Sequence, residues 1–190
     1  TYIDGSYVDD KVLELKTGKP DFERERDAQR RLKSNLKFVA GKRVGDFGCG
    51  SGGFLRLAKP YCENVLGIEL QQNYVDLLNS DGITCTNDLA NVENKSLDIL
   101  VSFHVIEHLP NPLDTLSELI TKIVSGGQIL IEVPHANDFL LSTVCCDDFK
   151  QFTLWSQHMV LHTRETLRKT LEYVGLQDIQ IVSCLEVSVV

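Results

Sequence analysis

The stretch Arg43–Phe54, RVGDFGCGSGGF, constrains this chain more than any other. A short strand with Val44 and Phe47 as apolar positions breaks into a turn crowded with Gly48, Gly50, Gly52 and Gly53, and the turn opens a helix. Glycine tolerates positive φ and lets another molecule lie against bare backbone. Main-chain N–H groups at the start of the next helix face whatever sits there, with the helix dipole behind them. Strand, glycine turn and helix in that order predict a ligand-binding turn at the carboxyl end of a strand in an α/β sheet.

The rest of the chain agrees with such a sheet. Residues 1–20 have little apolar periodicity and read as an arm, after which Asp21 is placed to cap a helix over 22–39. Ala28, Leu32, Leu36 and Val39 form its apolar stripe, and its alternating charges, Arg30 and Arg31 among them, read as a solvated face. Beyond the turn, strands are expected at 65–70, 83–86, 97–103 and 128–133, with helices at 53–59, 71–79 and 113–124 between them. Leu97–Phe103, LDILVSF, lacks polar alternation, as a strand buried on both faces should. A helix from the Thr163 cap through Val174 and a strand over 179–182 follow, leaving 185–190 to supply a second late strand. The alternation predicts an α/β fold with a mainly parallel central sheet and helices on both faces.

Composition limits the function classes. A length of 190 residues suits one domain over 21–190, with the ligand-turn half at about 41–134 and irregular loops at about 135–162. The net charge of −8 argues against nucleic acid as partner. No apolar run is long enough to span a bilayer and no secretory leader is visible, so the expectation is a cytoplasmic protein with its six cysteines reduced. The chain opens at Thr1, as an excised domain would.

Which ligand the turn takes depends on Asp46. Gly48, Gly50 and Gly53 satisfy the dinucleotide fingerprint and Glu69 follows at the spacing of a ribose-binding acid. A carboxylate at Asp46, at the strand's end, would repel a pyrophosphate but suits a ligand carrying an ammonium and a sulfonium. Asp46, Gly48, Gly50 and Gly52 match D-x-G-x-G-x-G position by position, and here the chain resembles the class I S-adenosylmethionine-dependent methyltransferases. The resemblance runs from about residue 41 to 175 and implies a Rossmann-like fold and S-adenosylmethionine as cofactor. It implies that Cys49 lends its backbone to the turn, that Glu69 holds the ribose hydroxyls beside Leu70, and that Asp88 meets the adenine amino group beside Leu89. His104, at the end of the fourth strand, joins the cofactor candidates.

All five histidines fall between Phe103 and Thr163. His104-Val-Ile-Glu107-His108 fits the H-x-x-E-H pattern of a zinc peptidase class, but Pro110 and Pro112 leave no room for the sustained helix that chemistry needs. His158 and His162 have i,i+4 spacing but precede the Thr163 cap, so they need not share a helix face, and no metal site is expected. The same Glu-His dipeptide before a Leu-Pro-x-Pro run resembles the stretch after strand four in the methyltransferases. His158, Thr163, Leu167, Leu171 and Gly175 match a late stretch of the small-molecule and sugar enzymes, with His162 where an aromatic is usual.

A hydroxyl acceptor must lose a proton, and His108 or His135 is the expected base. Glu107, Asn137, Trp155 and His158 are the acceptor-binding candidates. The expectation is methyl transfer to a small-molecule hydroxyl, on a sugar or quinone-type precursor, and an incomplete sheet edge would favour a homodimer. An NAD-dependent oxidoreductase and a non-catalytic cofactor-binding domain are the alternatives.

Overall fold

The computed structural model describes residues 22–154 and 157–184, with the side chains of 22–24 and 152 left aside. The expected arm, the Asp21 cap, Trp155 and the segment 185–190 lie outside the described residues. The chain divides into two compact units. The first runs up to Val105 and includes Glu118–Glu132; the second comprises Ile106–Ser117 and the chain from Val133 onward.

In the first unit, helix α1 (Phe22–Val39) presents the predicted stripe inward: Ala28 and Val39 are buried, and Leu32 and Leu36 pack against the core. Strand β1 (Arg43–Phe47) leads through the glycine turn into α2 (Gly53–Ala58). There follow β2 (Asn64–Ile68), α3 (Gln72–Ser80), β3 (Cys85–Thr86), β4 (Leu97–Phe103), α4 (Pro112–Lys122, which straddles the division) and β5 (Ile123–Glu132). Among the described residues the sheet has five strands in the order β3-β2-β1-β4-β5, every pair parallel. This is the expected α/β class. β1 lies at its centre, and Asp46 pairs with Gly67 on one side and Val101 on the other. The core gathers Val44, Leu55, Leu78, Ile99 and Val101.

Three expectations need correction. β3 begins at Cys85 rather than Ile83, because Ile83 is buried and its N–H closes α3 by donating to the Leu78 carbonyl. α4 ends at Lys122 and β5 starts at once: Ile123 pairs with Leu97 and Gln128 with Ile99, so the intervening residues bulge out of the ladder at Gly126-Gly127. No strand forms over 179–182, where the Ile179 carbonyl accepts from the Arg168 guanidinium instead of a ladder partner.

The second unit holds α5 (Phe139–Ser142), α6 (Asp147–Thr153) and α7 (Arg164–Tyr173). The Thr163 hydroxyl accepts from the Thr166 N–H and the Thr166 hydroxyl from the Thr163 N–H, the reciprocal cap that the sequence signals at this end.

Candidate functional site

The glycine turn of the first unit is held as a cradle. Gly48, Gly50 and Gly52 have φ of 76°, 52° and 79°, in the region that side chains disfavour. A Cβ on Gly48 would collide with Val105, whereas a Cβ on Gly50 would meet nothing within 4 Å. Gly50 thus presents open backbone for a ligand to lie against. The Gly48 N–H donates to the Ile68 carbonyl at 2.8 Å, fixing the turn to the end of β2.

Glu69 stands directly after β2 and is buried. Its Oε2 accepts the Gly50 N–H at 2.8 Å and its Oε1 the Gln71 N–H at 2.9 Å. Each carboxylate oxygen keeps acceptor capacity beyond one backbone bond, so the group can still meet a diol. Leu70 beside it is exposed, and Leu89 is half-buried. Asp88 caps the short turn at 89–91, its Oδ1 accepting from Ala90 N–H at 2.8 Å. Cys49 sits over β2 with its sulfur 4.0 Å from that of Cys85, an approach that depends on Gly67, where a Cβ would lie 2.9 Å from both sulfurs. The hydrogen bond to Cys85, together with burial, holds the Cys49 thiol well above the ordinary range.

Asp46 is buried in β1, and burial pushes its carboxyl up to about 7. The Arg31 charge opposes that shift and Glu69 adds to it. A carboxyl so poised ionises readily when a cation arrives.

Sequence reasoning missed the cluster at the ends of β4 and β5. Arg30 and Arg31 are not on a solvated face: both donate to the carboxylate of Glu132, at 2.8–3.0 Å. Arg31 also lies over the Phe103 ring, 4.8 Å from its centroid. His104 adopts φ 56°, donates its backbone N–H to the Glu132 carbonyl, and sets its Nε2 3.2 Å from Oε1 of Glu132. Burial alone would raise the Glu132 carboxyl, but hydrogen bonds from His104 and Arg30 and the Arg31 charge hold it well below the usual range. The signal was available in QILIEV, where one acid interrupts an apolar strand and so requires a cation.

The second unit brings together Glu107, His108 and His158. The short helical turn Ile106–His108 buries Glu107, whose carbonyl accepts the N–H groups of Met159 and Val160. Nδ1 of His108 lies 2.8 Å from the Gln157 carbonyl and Nδ1 of His158 lies 2.5 Å from the Thr153 carbonyl. The two rings are 4.8 Å apart between centroids. His135 is not one of this group: its backbone forms an isolated β-bridge with His162, and its Nδ1 accepts from the N–H of Asn137, which is exposed. His162 is buried, and burial lowers its pKa against the opposing pull of Glu107. The surface cleft lined by Arg168, Glu172 and Gln177 contains none of these residues. No helix among the described residues is long and apolar enough to cross a membrane.

Comparison with known proteins agrees with this geometry. Residues 22–181 match the family described as a methyltransferase domain. The chain is 27% identical over 109 residues to a ubiquinone biosynthesis O-methyltransferase of Ralstonia nicotianae, covering 52% of this chain and 46% of that protein. It is 30% identical over 174 residues to a tRNA U34 carboxymethyltransferase of Haemophilus influenzae, covering 83% and 51%. The chain thus spans about half the length of these curated relatives. A SAM-dependent methyltransferase from Archaeoglobus fulgidus superposes with a TM-score of 0.67 at 25% identity, covering 81% of this chain and 70% of that one. With its glycine cradle, its paired strand-end acids and a family match across most of its length, the chain belongs to the class I S-adenosylmethionine-dependent methyltransferases.

Proposed function

We propose that this chain transfers a methyl group from S-adenosylmethionine to a hydroxyl of a small molecule. The observation that carries the reading is the joined pair of Gly50 and Glu69, an open-backbone turn tied to a strand-end acid, with the buried carboxyl of Asp46 beside them in β1. When bound, the cofactor supplies a methyl already activated on a sulfonium.

The residues present suit that group. Glu69 would hold the ribose hydroxyls, with Leu70 alongside, and Asp88 and Leu89 would take the adenine edge and face. Asp46 would answer the cationic end, and Arg31, whose charge reaches Asp46, would answer a carboxylate there. Cys49, Gly48, Gly50 and Gly52 would contribute backbone, and His104 would act through Glu132.

On the acceptor side His108 is the better base of the two histidines. A carbonyl can only accept, so the Gln157 contact assigns a proton to Nδ1 of His108 and leaves Nε2, 3.9 Å from Oε1 of Glu107, as the nitrogen that would act as the base. His135 has its Nδ1 lone pair engaged by the Asn137 N–H. Glu107, His158, Asn137 and Trp155 are proposed to bind the acceptor. A sugar or quinone-type precursor fits the mix of acid, imidazole and aromatic side chains.

A second reading, transfer to RNA, is favoured by the likeness to the tRNA U34 carboxymethyltransferase over 83% of the chain, and opposed by the net charge of −8. Calorimetric titration with S-adenosylmethionine, its demethylated product and NADH tests the cofactor. Binding of NADH alone would overturn the proposal. Radiolabelled methyl transfer onto hydroxylated small molecules and onto bulk tRNA, run in parallel, tests the acceptor; label in tRNA alone would establish the second reading.

A further inference from the structure

Two metal-like spacings in the sequence, His104-x-x-Glu107-His108 and His158-x-x-x-His162, fail as written. His104 turns to Glu132 in the first unit, and the stretch 157–162 is not helical, so neither spacing yields a helical pair of ligands. Yet the chain takes one histidine from each and sets both beside a buried acid. One ligand atom from each of Glu107, His108 and His158 lies within 4.8 Å of the others.

From this juxtaposition we infer that Glu107, His108 and His158 form a binding site for a divalent cation of the zinc class. Both imidazoles are prepared for the task. Each Nδ1 is set at a main-chain carbonyl, at Gln157 for His108 and at Thr153 for His158, which places a proton there, so that in the neutral ring Nε2 is the nitrogen able to ligate. That is the outer-shell arrangement by which ligating histidines are oriented. The backbone bonds from Met159 and Val160 to the Glu107 carbonyl hold the segment carrying His158 against the segment carrying His108. Nε2 of His108 is 3.9 Å from Oε1 of Glu107. Ligands about 2.1 Å from one zinc ion stand about 3.4 Å apart, so side-chain shifts on the order of 1 Å draw the three onto one ion. Two nitrogens and one carboxylate oxygen suit zinc better than magnesium or calcium, which prefer all-oxygen sets. Close by in charge terms, His162 is a buried imidazole on which Glu107 acts, with neither ring nitrogen hydrogen-bonded among the described residues.

Three protein ligands leave one tetrahedral position open, as in catalytic zinc sites. Only what fills that position rests on the methyl-transfer reading: under it, an acceptor hydroxyl binds there and, made more acidic by the ion, loses its proton to solvent, so that Nε2 of His108 is occupied by the ion when it is bound and acts as the base only in its absence.

The test needs no turnover. The protein is stripped with a chelator, dialysed and titrated with Co2+ alone, then with Zn2+ in competition. The expected result is one equivalent of Co2+ bound with the visible spectrum of a four-coordinate nitrogen and oxygen site, displaced by Zn2+. His158→Ala and His108→Ala should each weaken binding at least ~100-fold, and Glu107→Gln about 10-fold or more. His104→Ala should leave it unchanged. Circular dichroism of each variant checks the fold, and Zn2+ should raise the melting temperature of the parent protein but not of His158→Ala. Absence of cobalt binding overturns the inference. So do near-ultraviolet thiolate bands, which would put the ion on cysteine, and full affinity in His158→Ala. Loss of S-adenosylmethionine binding with cobalt binding intact would instead reject the methyl-transfer reading.

Discussion

The backbone N–H of Gly50 donates to Oε2 of Glu69 over 2.8 Å, so the acid that closes β2 also shapes the turn that follows β1. One side chain therefore has two duties, and removing it should disturb both. A hydrogen bond to a charged group is worth about 1.5–3 kcal/mol. Glu69→Ala is expected to weaken S-adenosylmethionine binding by about 10- to 100-fold in calorimetry and to speed hydrogen exchange at the Gly50 amide. Weakened binding with unchanged exchange would separate the duties.

Asp46 is expected to set the pH dependence of both stability and binding. Its folded pKa of about 7 lies above the unfolded value of about 3.8. The folded state therefore keeps a proton that the unfolded state releases, and stability falls as pH rises from about 4 to 7, then levels. The difference is on the order of 4 kcal/mol at most. Asp46→Asn should melt above the parent protein at pH 8, the two converging near pH 4, while binding S-adenosylmethionine more weakly. In the parent protein, affinity for that cation should climb through pH 7. Below that pH, binding should release protons, read from calorimetry in buffers of different ionisation enthalpy.

Glu132 behaves in the opposite sense. Its carboxyl is held low by His104, Arg30 and Arg31 in spite of burial. The stability it contributes is present above the unfolded carboxylate pKa of about 4.5 and is lost as pH falls below that value. Glu132→Gln removes the anion that Arg30, Arg31 and His104 share, Arg30 keeping Asp27 at 3.5 Å, and should cost about 3 kcal/mol near neutral pH. The gap in melting temperature between variant and parent should narrow in acid.

For the proposed base, His108→Ala should lower single-turnover methyl transfer by about 10²- to 10⁴-fold, with cofactor affinity unchanged. His135→Ala should have a much smaller effect. An equal loss in both variants would remove His108 from the role.

Helix α1 and strand β4 were legible to the residue, because a regular apolar stripe and an unbroken apolar run admit one reading each. The glycine turn was legible for the same reason, since local geometry and local chemistry coincide there; the bond that ties Glu69 back to Gly50 was not. What escaped was non-local. Nothing in the alternating charges of α1 distinguishes Arg30 and Arg31 from Arg26 until Glu132, about a hundred residues on, supplies the half-buried anion. The pairing of His108 with His158 likewise depends on main-chain bonds between segments about fifty residues apart. Glycines at 126–127 looked like a helix stop and instead form a bulge, since Ile123 already belongs to the ladder.

The outer edge of β3 is covered by one side chain. The amide of Asn79 donates to the Cys85 carbonyl at 2.9 Å and accepts the Cys85 N–H at 3.0 Å. It is a strand one residue long, offering the donor and acceptor that a neighbouring chain would offer. At Cys85 the sheet therefore terminates itself. A second copy seeking to extend it by edge pairing would first have to evict Asn79, so this margin is built to resist the very association that an open strand invites.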